Sequence, residues 1–140
     1  MFCLLPLLLI GYAQSIDTPW HHNRGIGGAY AEVQTCKEGF GARIAGSNQW
    51  IQIGPQYGHT IKLSESLSLT AQIHGGLGYS NTQYHDYRQI TLYNGGIAIL
   101  LSYQQSYLVK LGVDHMSNGR GFVESNRGQD MATFAIGKEF

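Results

Sequence analysis

Leu67-Ser68-Leu69-Thr70-Ala71-Gln72-Ile73-His74-Gly75-Gly76-Leu77-Gly78-Tyr79 is the stretch that decides the fold. Its odd positions (Leu67, Leu69, Ala71, Ile73, Gly75, Leu77, Tyr79) are apolar or glycine. Its even positions (Ser68, Thr70, Gln72, His74, Gly76, Gly78) are polar or small. Successive side chains of a strand point to opposite faces, so this period of two describes a strand with one apolar face. The other face carries hydroxyls, amides and glycines rather than the Lys and Glu expected of a sheet facing water. An apolar outside with a small, weakly charged inside suits the wall of a narrow membrane barrel, whose interior cannot hold a bulky side chain from every strand.

The same alternation recurs along the chain. Ile51, Ile53, Pro55, Tyr57, His59, Ile61 and Leu63 alternate with Gln52, Gly54, Gln56, Gly58, Thr60 and Lys62. Ile97, Ile99, Leu101 and Tyr103 form another apolar series, as do Tyr107, Val109, Leu111 and Val113, and the end of the chain places Phe134, Ile136 and Phe140 on one face. Weaker strands are expected over 28–35 and 39–45. Several of these runs exceed the ~5–6 residues usual in soluble sheets and match the roughly 9–11 tilted residues that cross a bilayer. About seven strands can be delimited, whereas single-chain bacterial barrels have an even number and eight is the smallest common size. The expected fold is therefore all-β, a small antiparallel transmembrane β-barrel of eight strands; one strand escapes this reading or the chain lacks it, and the segment from Gln14 to Arg24 is the part left undecided. Asn94-Gly95-Gly96 reads as a bulge. Trp20, Trp50 and the tyrosines fit interfacial girdles. A terminal aromatic such as Phe140 is common in bacterial outer-membrane barrels, which makes the outer membrane the expected location.

Composition agrees. The chain has 140 residues, enough for one domain, with 19 Gly, 9 Tyr and only 3 Pro. A formal net charge of +0 with 13% charged residues offers no clustered cations for nucleic acid. A mean hydropathy of -0.16 excludes a helical membrane protein. The apolar run from Met1 to Ala13 is too short for a membrane helix of about 20 residues. It reads as the core of a signal peptide, with Gly11-Tyr12-Ala13 as a small-residue cleavage site and no basic segment before it; a buried N-terminal strand is the alternative. On the signal-peptide reading, residues 14–140 form a single barrel domain. Cys3 then leaves with the leader, and Cys36 has no partner for an internal disulfide.

Chemistry concentrates in Asp114-His115-Met116-Ser117-Asn118-Gly119 and Asn126-Arg127-Gly128-Gln129-Asp130. A serine hydrolase needs a base within reach of the hydroxyl and an acid to orient that base. His115 and Ser117 are two apart and continue the apolar series Tyr107–Val113, while Asp130 shares parity with Phe134 and Ile136. All three are therefore expected on the outer wall, across the last hairpin. Polar groups on a lipid-facing wall are costly unless they have a task. Taken singly, each feature has a plain structural reading: His-x-Ser is a frequent pair and Ser-Asn-Gly is an ordinary turn. Their shared face and their place on the terminal hairpin give the combination its weight. His21-His22 could suggest a metal site, but adjacent side chains on an extended chain point apart. His74 is expected inside the barrel, and His59 and His85 at its rims.

His115-Met116-Ser117-Asn118, followed by Asn126-Arg127-Gly128-Gln129-Asp130, resembles the lipid A 3-O-deacylase family, which includes proteins labelled acyloxyacyl hydrolase. Its members are eight-stranded outer-membrane barrels with a His-x-Ser-Asn motif near the end of the penultimate strand. The close match covers about the last 30 residues, and the rest matches in architecture. The resemblance implies that Ser117 is the nucleophile, His115 the general base, Asp130 the orienting acid and Asn118 part of the oxyanion hole. The family acid is Glu where this chain has Asp130, and the loop before it is one residue longer; Glu124 is the fallback acid. Arg120 and Arg127 are candidate contacts to lipid phosphates. The implied reaction removes the 3-O-linked acyl chain from lipid A of lipopolysaccharide, with no metal or organic cofactor. A homo-oligomer is left open. The rival readings are a non-enzymatic small barrel (adhesin, structural protein or narrow channel) and a soluble β-sandwich.

Overall fold

Alternating sequence becomes alternating wall. The structure, a computed structural model, describes residues 5–19, 27–80, 89–117 and 129–140. Its strands are β1 (Leu7–Ile16), β2 (Gly27–Gln34), β3 (Gly39–Gly46), β4 (Trp50–Lys62), β5 (Leu67–Ser80), β6 (Gln89–Tyr103), β7 (Tyr107–Ser117) and β8 (Gln129–Glu139). They close into one barrel in sequence order, and the pairing is antiparallel throughout, including the return from β8 to β1. A closed barrel replaces the β-sandwich alternative. The register of β5 against β6 shifts between Gly76 and Gly78, beside the Asn94-Gly95-Gly96 segment where a bulge was expected.

The eighth strand is the N-terminal one, the alternative to a leader. β1 begins at Leu7, inside the run read as a leader, and only its end overlaps the segment from Gln14 to Arg24. It pairs with β8 from Leu7↔Glu139 to Ile16↔Asp130. Alternation fails as a signal here because both faces are apolar. Leu7 and Leu9 are buried while Leu8 and Ile10 are exposed. The buried pair joins Leu100, Leu108 and Ala135 in the apolar core cluster. Cys36 also departs from expectation: it is disulfide-bonded. The chain's other cysteine, Cys3, lies outside the described residues.

The outer wall is apolar, with Ile53, Ile73, Leu77, Ile97, Ile99, Leu111 and Ile136 exposed. Tyr79 and Tyr93 sit toward the end carrying the connections 17–26, 47–49, 81–88 and 118–128. Phe40, Tyr103, Tyr107 and Phe140 sit toward the other end, which has the short turns. In the β6–β7 turn, Gln104 and Gln105 have φ of 51° and 61°, the left-handed backbone of turns that follow strand twist. Trp50 is not part of a girdle. It is 2% exposed, because its parity is that of the inward Gln52 and Gln56, and its ring lies 5.6 Å from Tyr30.

Charges fill the interior. Lys110 Nζ donates to both Glu32 oxygens at 2.6 and 2.8 Å. The Arg43 guanidinium lies 3.0 Å from Glu32, donates to Gln52 at 2.8 Å and lies 3.7 Å from Asp114. Two acids thus balance two bases. Burying a charge in low dielectric costs several kcal/mol unless it is paired, and these charges are paired. Gln56 and Gln72 each donate to Gln34 at 2.8 Å, below that network. This level of the barrel is a packed polar core, not a pore.

Two stability outcomes follow. Ile97→Arg, on the outer face of β6, should cost about 2–4 kcal/mol in lipid, measured by urea unfolding of the barrel in vesicles; a water-facing position would be near neutral. Lys110→Met should cost about 3–5 kcal/mol in the same assay, because it leaves Glu32 buried with one cation fewer.

Candidate active site

The site is built by register. His115 on β7 stands opposite Asp130 on β8, so side chains sharing the outer face start about 5 Å apart. They close that distance: His115 Nδ1 lies 2.7 Å from Asp130 Oδ1. With Asp130 ionised, Nδ1–H donates and Nε2 keeps its lone pair, the tautomer a general base requires. Thr18, two residues past the end of β1, donates its hydroxyl to Asp130 Oδ2 at 2.6 Å. Both carboxylate oxygens therefore receive hydrogen bonds. Asp130 is only 7% exposed, whereas the His115 side chain is 43% exposed. The arrangement is a buried acid holding an accessible imidazole.

Glycines stand beside His115 on the neighbouring strands. Across β6 its partner is Gly95, and beyond that on β5 lies Gly75. Among the described residues, a Cβ at either glycine would meet only a backbone carbonyl at 3.6 Å, so these two positions place no side chain on this flank of the imidazole. The next outward pair, Val113↔Ala132, borders an apolar depression of about 570 Å³ lined also by Ala71, Ile97, Ile99 and Leu111. It begins one outward pair away from His115 and Asp130, which do not line it.

Ser117 is the last residue of β7, paired with Tyr93. It is two positions beyond His115 and shares its parity; its side chain lies outside the described residues. So do residues 118–128, and with them Asn118, Arg120, Glu124 and Arg127. Trp20, His21, His22 and His85 are likewise outside. Met116, between His115 and Ser117, is buried inside, as is Gln129 beside Asp130.

A second His–Asp pair lies on the inner side of β7. His74 hydrogen-bonds Asp114 in the interior, at the level where Arg43 approaches that carboxylate. Gly96 leaves room for it: a Cβ there would come within 2.7 Å of the His74 ring. Both members of this pair are buried among charges. It acts as an interior brace, in keeping with the interior place expected for His74. Thr18 is the residue that sequence reasoning did not find. No local motif marks it, and its role depends on β1 lying against β8.

No protein-family model matches the chain, and no curated protein is similar to it. Solved structures do match in fold. The N-terminal β-barrel domain of OprF from Pseudomonas aeruginosa has a TM-score of 0.63 at 10% identity, over 100% of both chains. Neisserial surface protein A has a TM-score of 0.56 at 8% identity, over 96% of this chain and 94% of that one. Ail, the attachment invasion locus protein of Yersinia pestis, has a TM-score of 0.54 at 13% identity, over 97% and 98%. The chain is an eight-stranded barrel of the outer-membrane type.

Proposed function

We propose that this barrel is a serine esterase of the bacterial outer membrane that removes the 3-O-linked acyl chain from lipid A of lipopolysaccharide. The observation that carries the reading is the Asp130–His115 hydrogen bond on the outer wall, with Ser117 ending the same strand. A carboxylate placed on a lipid-facing surface is expensive, and here it is spent on orienting an accessible imidazole. The site lies at the end with the longer connections, which in outer-membrane barrels faces outward, where lipopolysaccharide resides. The ester would lie against Gly95 and Gly75, which add no side chain beside His115, and the apolar depression one outward pair away would receive its acyl chain.

In the proposed reaction His115 Nε2 takes the proton of the Ser117 hydroxyl as its oxygen attacks the ester carbonyl. Asp130 stabilises the imidazolium that forms. Asn118 and backbone N–H groups hold the oxyanion. The tetrahedral intermediate collapses and expels the sugar alkoxide, which takes the proton from His115. Water activated by the same imidazole then hydrolyses the acyl-enzyme and releases the fatty acid. Arg120 and Arg127 would pair with lipid A phosphates.

The second reading is a non-enzymatic small outer-membrane barrel, of the adhesin or structural kind. The fold similarity favours it, since none of these three structures is described as a hydrolase. At such low identity, however, one fold can carry either role, and function lies in the site. The packed interior speaks against the narrow-channel form of this reading.

The test is to fold the chain in detergent, incubate it with lipopolysaccharide and follow the lipid A mass. The native barrel should remove one 3-hydroxyacyl unit. Ser117→Ala and His115→Ala should each lower the rate by at least about a thousandfold while leaving the barrel folded. Unchanged lipid A with the folded native barrel, or equal hydrolysis by Ser117→Ala, favours the non-enzymatic reading.

A further inference from the structure

We infer that Thr18 is a positioning residue of this site, holding Asp130 so that an aspartate can orient His115. The inference rests on the esterase reading. Asp130 sits in β8 between two strands: its backbone partner on one side is Ile16 of β1 and on the other His115 of β7. Thr18 continues β1 two residues past Ile16 and approaches the same carboxylate from the side away from His115. Its hydroxyl donates to Oδ2 at 2.6 Å, while Oδ1 takes the His115 Nδ1–H at 2.7 Å.

This geometry has a chemical purpose. A carboxylate on a short side chain, 7% exposed on an apolar wall, has to be kept ionised and kept from rotating. A short hydrogen bond to a charged acceptor favours the charged form and fixes its plane. With Oδ2 anchored, Oδ1 is directed at the imidazole. Thr18 reaches the site through Asp130. It also couples chemistry to folding, because the hydroxyl arrives only when β1 has closed against β8.

The experiment compares the full chain with Thr18→Val, which keeps the shape and removes the donor, and Thr18→Ser, which restores the donor. Each is folded in detergent, its folded fraction is set by heat-modifiable gel mobility, and kcat and KM are measured on lipopolysaccharide. Thr18→Val should lower kcat by about 10–100-fold with KM within about twofold, and Thr18→Ser should recover kcat to within about threefold of the native barrel. A general loosening of the loop would instead change the folded fraction or KM, and serine would not rescue it. An active native barrel whose kcat is unmoved by Thr18→Val, or whose loss serine does not repair, overturns the role of Thr18 alone. A folded native barrel with no hydrolysis overturns the esterase, and the role of Thr18 with it.

Discussion

The constraint on which the molecule depends is that no strand edge can be left unpaired in lipid. Each unsatisfied backbone group there costs several kcal/mol, so a sheet must close or stay out of the membrane. Here closure is the ladder between β1 and β8, running from Leu7↔Glu139 to Ile16↔Asp130. Once that seam forms, the outward residues of every strand meet lipid and the inward ones meet each other. The interior must then satisfy its own charges, and it does so with Glu32, Lys110, Arg43, Asp114 and His74 in one network. Leu9 and Leu100 stand beside Glu32 and Lys110 in register and belong with Leu7 and Leu108 to the apolar core cluster.

The candidate site is a product of the same seam. Ile16, Asp130, His115, Gly95 and Gly75 lie in one row across five strands. β8 supplies an acid, β7 an imidazole, β6 and β5 supply glycines, and the chain leaving β1 supplies Thr18. On the far side of β7, Asp114 is held by His74 and Arg43. The strand that carries His115 and Ser117 is thus fixed from within. Rigid walls suit a site whose geometry has to hold to fractions of an ångström.

Much of this was legible in the sequence because a strand with one lipid face and one small polar face writes its register in period two. β4, β5, β7 and β8 could be read this way, and so could the meeting of His115 and Asp130, since parity alone put them on one wall. Where both faces of a strand have the same character, the code is silent. Leu7 to Ile10 are apolar inside and out, so the run read as a leader with a buried strand as the alternative, and its register against β8 went unseen. Thr18 was hidden with it, because a residue at one end of the chain reaches the acid at the other only through closure. Trp50 misled for a different reason: an aromatic suggested a girdle, while its own parity with Gln52 and Gln56 pointed inward, against Tyr30.

The seam is therefore the claim to test, and amide hydrogen exchange by NMR on the folded barrel in micelles tests it directly. The amides of Leu7–Ile16 should exchange as slowly as those of Leu67–Ser80, with cross-strand contacts linking Ile16 to Asp130. Free exchange over 7–16 in a barrel that is otherwise protected would contradict closure by β1, and with it the placement of Thr18 against Asp130.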